Sequence, residues 1–253
     1  MLKNIARNAL RPSYLREMTR KASLRIRSTG REVEEAKAWA SANAVDMTAW
    51  ATEVDPDLWR EAEEFASAMA ADARPRVAAL EDAGITMGGG GAYGLLYFLA
   101  RRLAPERILE TGVAAGWSTW AFLAAIETNG RGSLYSSDFP YFRIANPEQY
   151  IGYLVPDRLR NPNWHLYTKG DRANLKNILA KEKSFGLVHY DSDKTRAGRQ
   201  FCVDALRGHL TDRSVLVMDD IGDDLFFRDV LYSPDDAVIF AWEGKYLGMV
   251  GKV

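Results

Sequence analysis

From residue 93 onward the chain alternates between short apolar runs and longer segments with an apolar residue at every third or fourth position. Runs near 107–111, 133–138, 164–168, 185–191, 214–219, 237–242 and 246–251 predict seven strands. Helical spacing predicts helices over 93–103, 117–127, 172–181, 195–209 and about 223–231. Such alternation implies a parallel sheet covered on both faces. Glu243-Gly244 leaves no room for a crossover helix between the last two strands, so these must form an antiparallel hairpin. The predicted fold class is α/β: a Rossmann-like, seven-stranded, mostly parallel sheet with helices on both faces and a C-terminal hairpin.

An N-terminal helical extension precedes this sheet. Residues 32–80 read as helical, and Asp55-Pro-Asp57 opens one segment with proline in its first turn. Trp59, Ala62, Phe65, Ala66, Met69 and Ala70 then follow at helical spacing. Gly88–Gly91 reads as a linker, with a hinge over a ligand mouth as the alternative. The division drawn is 1–92, a basic arm and helical extension, and 93–253, the ligand-binding domain.

Composition adds limits. With 47% hydrophobic and 26% charged residues, 253 positions can bury a sizeable core. Cys202 is the only cysteine, which excludes an internal disulfide and a cysteine-rich zinc site. Neither a membrane span nor a secretory leader is expected, and a cytoplasmic protein is. Net charge is −1, but residues 1–31 hold nine basic side chains against Glu17 alone. That arm could meet an anionic membrane surface, nucleic acid or an acidic partner, or lie as a solvated helix on the acidic body or on a second subunit. No nucleic-acid partner is expected, and a homo-oligomer is.

Ile108–Thr119 reads as a strand, a glycine turn and a helix start. Gly112-x-x-x-Gly116 is not the dinucleotide fingerprint, and no Gly-Lys-Ser/Thr follows to hold phosphates. Glu110 stands just before the glycines, where a cationic group could be received. Asp138 closes the second strand 26 positions after Gly112, where a carboxylate can accept both hydroxyls of a ribose.

Glu110-Thr-Gly-Val-Ala-Ala-Gly-Trp-Ser-Thr119 resembles the first motif of class I S-adenosylmethionine (SAM) methyltransferases, in the O-methyltransferase branch of the family 24 type. The resemblance implies that Glu110 faces the methionine amino group, that Gly112 and Gly116 pass beneath the methionine portion, and that Ser118 helps hold the carboxylate. It also places Asp171 and Arg172 near the adenine, although Asp171 could equally cap a helix.

Two acid clusters follow: His189-Tyr-Asp-Ser-Asp-Lys194 and Asp219-Asp220, each at the end of a central strand. Converging carboxylates repel unless protonated or neutralised, and their oxygens suit Mg2+ or another divalent cation. Catechol- and caffeoyl-type relatives imply Asp191, Asp219 and Asp220 as ligands with Lys194 as base. Macrocin-type sugar enzymes imply Asp191 as base with Asp193, Asp219 and Asp220 as ligands. Lys194 could also neutralise the site without metal. Asp220, where the catechol type has Asn, favours the sugar-like pattern. Phe139–Pro156 is long and aromatic, which fits a lid or a subunit contact; Tyr141, Phe142, Tyr150 and Tyr153 could line an acceptor pocket.

The expected function is metal-assisted, SAM-dependent O-methylation of a hydroxyl on a small-molecule or sugar-containing metabolite. Two alternatives stand beside it: a relative of the same fold performing another modification such as hydroxylation, and a non-catalytic cofactor-binding partner subunit.

Overall fold

All seven predicted strands form, because each carries apolar residues on both faces of a sheet covered on both sides. The computed structural model describes residues 2–11, 14–15 and 30–253. Helix α1 is Leu2–Ala9 and α2 is Gly30–Asn43, followed by a two-residue strand β1, Ala44–Val45. Helices α3 (Met47–Val54) and α4 (Pro56–Asp82) are capped by the side chains of Asp46 and Asp55. Helix α5 is Tyr93–Leu103. The remaining strands are β2 (Arg107–Thr111), β3 (Ser133–Ser137), β4 (Trp164–Tyr167), β5 (Leu187–Tyr190), β6 (Val215–Met218), β7 (Ala237–Trp242) and β8 (Lys245–Val250). Helices α6 (Trp117–Asn129), α7 (Asp171–Leu179) and α8 (Arg196–Leu206) lie between them.

The sheet order is β1-β7-β8-β6-β5-β2-β3-β4. Only β8 runs antiparallel, to β6 and β7, as the short Glu243-Gly244 connection requires. The eighth strand is an addition to the seven expected: Ala44 and Val45 pair in parallel with Ile239 and Phe240 at the sheet edge. Strand alternation divides the core. Ile108, Leu187, Val215 and Val217 face α5 and α6, while Leu109, Val188, Leu216 and Met218 face α7 and α8. The extension shares this interior, for Met47, Trp59 and Met69 pack in one cluster with Leu95, Phe98 and Phe122.

The helix expected over 223–231 is broken. A 3-10 turn spans Ile221–Asp223 and a single π-turn spans Phe227–Leu231. Asp224 between them is extended, with φ −158°, and its carboxylate accepts a hydrogen bond from the buried Arg199 at 2.6 Å. Of the basic arm, residues 12, 13 and 16–29 lie outside the described residues, and with them most of its charge. Among the described residues no helix is long and apolar enough to cross a membrane.

Candidate functional site

The carboxyl ends of β2, β3, β5 and β6 open into a cavity of about 690 Å3, the position where parallel α/β sheets bind ligands. The turn after β2 passes under it at very close range. Gly112 has φ +87°, and a Cβ there would come 2.1 Å from the Asp191 carbonyl oxygen. Only glycine permits both the conformation and the approach. Asp138 lies on the wall beside this turn. Its Oδ2 accepts from the Ala114 amide at 2.7 Å and its Oδ1 from the Phe139 amide at 2.6 Å, so two backbone donors fix its orientation. Asp171 is on the same wall and accepts from the Ser137 hydroxyl at 2.7 Å.

Three other residues from the sequence reading are placed differently. Glu110 is fully buried beneath the turn, where the hydroxyls of Ser118, Thr119 and Ser136 donate to it at 2.5, 2.7 and 2.7 Å. Burial raises its pKa, and these hydroxyls oppose the rise. It is absent from the cavity wall; Ser118 is on the wall, with its hydroxyl given to Glu110. Gly116, with φ +100°, is also off the wall, and a Cβ there would come 2.8 Å from Gly152 and Val155. Arg172 is exposed, with its guanidinium 4.4 Å from the Phe201 ring centroid.

The acid clusters meet around a cation. The Lys194 ammonium bonds both Asp191 and Asp220. Burial lowers the Lys194 pKa, but these two carboxylates outweigh it and hold the group above its ordinary value. Burial, then the charge of Asp219, pushes Asp191 up to about 6. Asp219 faces the buried His189 at 3.5 Å, a separation for charge attraction rather than a well-formed hydrogen bond. Burial raises the Asp219 pKa, and His189 first, then Lys194 and Lys245, together more than offset this, leaving it lowered. Asp193 turns toward α8, where its Oδ1 accepts from the Thr195 hydroxyl at 2.8 Å and amide at 3.1 Å.

These donors do not fit a divalent ion. Among the described residues no three carboxylate, imidazole or thiolate groups are gathered as a metal needs. The ligand set expected from Asp191, Asp193, Asp219 and Asp220 is not assembled, because an ammonium already neutralises Asp191 and Asp220 while Asp193 holds a helix start.

Sequence reasoning missed the support beneath this cluster. Arg199 has no solvent exposure; it bonds Asp224 at 2.6 Å and donates to the Asp220 carbonyl at 2.6 Å. Its sequence signal is position, since Arg199, Cys202 and Leu206 share the buried stripe of α8. Tyr93 and Trp117 were also missed; they stack at 5.5 Å and 9° on the cavity wall. The 139–156 connection covers one side, with Tyr141, Phe142 and Arg143 on the wall, while Tyr150 and Tyr153 pack against the core. It is tied to the turn by amides of Gly152 and Leu154, which donate to the carbonyls of Ala114 and Ala115 at 2.9 and 2.8 Å. Helix α1 lies over it, and the Asn8 amide donates to the Phe142 carbonyl at 2.9 Å.

Comparison with known proteins agrees with this layout. Residues 109–221 match the family model of a methyltransferase domain. An O-methyltransferase from Bacillus cereus in complex with SAH is similar at TM-score 0.52 and 15% identity, over 87% of this chain and 100% of that one. A methyltransferase from Geobacter sulfurreducens is similar at TM-score 0.52 and 20% identity, over 70% and 89%. No curated protein sequence matches the chain. At such identities the structures speak for the fold, and the family model speaks for its use. Residues 109–221 thus match a methyltransferase domain, carried on a fold that the chain shares with these two methyltransferases.

Proposed function

We propose that the chain methylates a hydroxyl oxygen of a small molecule, with residues 93–253 as the catalytic unit and residues 1–92 as an accessory extension. The observation that carries this reading is the ammonium-bridged acid pair, Asp191–Lys194–Asp220, on the wall of the cavity above the glycine turn. When bound, SAM supplies a methyl group already activated on a sulfonium. The protein must then orient the acceptor and remove its proton.

Asp138 is the ribose ligand in this reading, because its carboxylate is aimed by the amides of Ala114 and Phe139. Gly112 and the first turn of α6 receive the methionine end. Asp171 borders the adenine. Glu110 shapes the turn through its three hydroxyl partners and leaves ligand contact to others. Asp191 takes the hydroxyl proton, since a carboxylate raised to about 6 remains ionised at neutral pH yet is a stronger base than an ordinary one. Lys194, held protonated, stays a cation and stabilises the oxygen as it loses its proton. Metal assistance does not enter this scheme, for the donor set does not fit it.

Calorimetric titration with SAM tests the first half. Binding by the wild type that weakens at least tenfold in Asp138→Ala is expected, and no detectable heat with the wild type overturns the reading. Mass analysis of product tests the second half: a gain of one methyl group on oxygen is expected, and addition of an oxygen atom instead would support a hydroxylase of the same fold.

A further inference from the structure

A second cavity, of about 640 Å3, lies beside the first and falls within the range of pockets that enclose drug-sized ligands. Its walls come from the extension and the hairpin, with Trp59, Met69, Val77, Leu80 and Trp242 among them. Gly88–Gly91, Tyr93 and Trp117 border both cavities. The partition is therefore one glycine segment and one stacked aromatic pair. Gly88, Gly89 and Gly90 all have positive φ, so the segment bears no side chain and occupies little depth. Tyr93 is close enough to the reacting groups for the charges of Asp219 and Asp191, after burial, to raise its pKa.

Charge narrows the occupant. Glu63, Glu81 and Glu243 line the second cavity, and none of the described residues lining it is a lysine or arginine. Lys245 stands on the cofactor side and donates to the Gly90 carbonyl at 3.1 Å. An anionic acceptor, such as one carrying a carboxylate or phosphate, would meet three carboxylates on a wall whose described residues include no lysine or arginine, with Lys245 reaching only the glycine segment at its edge.

We propose that this cavity is the acceptor site, and that the acceptor is an uncharged or amine-bearing, largely apolar ring compound whose hydroxyl reaches past the Tyr93–Trp117 pair to Asp191. The inference rests on the O-methyl transfer reading above. In the step itself the methyl carbon leaves sulfur and bonds the acceptor oxygen. Sulfur keeps the electron pair of the broken bond, and the hydroxyl proton passes to Asp191. Tyr93 and Trp117 offer flat faces against which a ring can lie.

The test uses the full chain and three naphthalene probes: 2-naphthol, 6-amino-2-naphthol and 6-hydroxy-2-naphthoate. Quenching of tryptophan fluorescence reports occupancy, because Trp59, Trp117 and Trp242 line the cavity. Saturable quenching by the first two probes, at least tenfold tighter than by the naphthoate, is expected. Ala70→Phe should weaken it tenfold or more while SAM titration stays within twofold. Val77→Phe carries the same test from another wall position if the first variant folds poorly. Equal binding of the anionic probe, quenching indifferent to both variants, or no saturable quenching overturns the proposal. Failure of the wild type to bind SAM would instead count against the methyltransferase scheme, and leaves probe binding to be read independently.

Discussion

Lys194 ties Asp191, three residues before it on the loop after β5, to Asp220 on the loop after β6. One ammonium thus joins the ends of two neighbouring strands at the point where the sheet opens into its cavity. Removing it would leave two carboxylates facing each other, with Asp219 nearby. Lys194→Met should therefore lower kcat by about 10²–10⁴-fold, the range for loss of a positioned proton-transfer or charge-stabilising group. SAM affinity should change less than tenfold. A single-turnover assay with methyl-labelled SAM reads the first quantity and calorimetry the second. Unchanged kcat would remove Lys194 from the chemistry.

The same pair makes a prediction about metals. Because the ammonium already satisfies Asp191 and Asp220, full activity is expected after dialysis against EDTA, with no gain on adding Mg2+. Loss of activity in chelator, restored by Mg2+, would show that Lys194 moves aside for an ion and that the carboxylates regroup around it.

With Asp191 as the proposed base, its acidity sets the expected pH dependence. Its carboxyl is pushed up to about 6, first by burial and then by Asp219. A base must be ionised to accept a proton, so kcat should rise with pH through about 6 and fall away below it. Asp191→Asn should remove this limb and lower kcat by about 10²–10⁴-fold. An acidic limb that persists in Asp191→Asn would assign the titration to another group.

The central strands β5 and β6 were legible because burial on both faces gives them short, nearly continuous apolar runs. β1 was not, since two residues carry no period and its place at the edge depends on β7. Asp191 and Lys194 could be read as neighbours from their spacing, and Asp220 was expected to converge on them from the next strand end. The parallel register of β5 with β6 brings this about; the ammonium bridge itself was not foreseen. Glu110 shows the converse. The acid before the glycines was visible, yet its three partners come from α6 and from Ser136, which sits opposite Glu110 on β3. Sequence placed it toward a ligand, while the sheet register placed it under the turn. The broken 223–231 helix has the same origin, for Asp224 answers a cation on α8 that no local pattern announces.

Arg199 carries a stability prediction. Its guanidinium is wholly buried and pairs with Asp224, itself buried. Arg199→Met would leave that carboxylate uncompensated, which costs about 3–5 kcal/mol. Urea unfolding should show the loss as a lower midpoint. The double variant Arg199→Met/Asp224→Leu should recover much of it, since removing both charges removes the desolvation penalty. No recovery would mean that the contacts of Arg199 with the carbonyls of Asp219 and Asp220 matter more than the ion pair.

The N-terminal arm bears on access to the cavity. Ile5 lines it, the Asn8 side chain bonds the carbonyls of Phe142 and Ile144, and the Tyr14 hydroxyl donates to Glu148 at 2.6 Å. These contacts hold the 139–148 part of the connection from outside, while the Ala114 and Ala115 carbonyls hold its later part from within. Deleting residues 1–15 removes only the outer set. The expected result is a cofactor that dissociates several-fold faster, with little change in the unfolding midpoint, because few of the arm's described side chains are buried. Stopped-flow displacement of bound SAM in the truncated and full chains measures this directly. Equal rates would mean that the arm rests on the connection without restraining it, and a large drop in midpoint would make the arm part of the core.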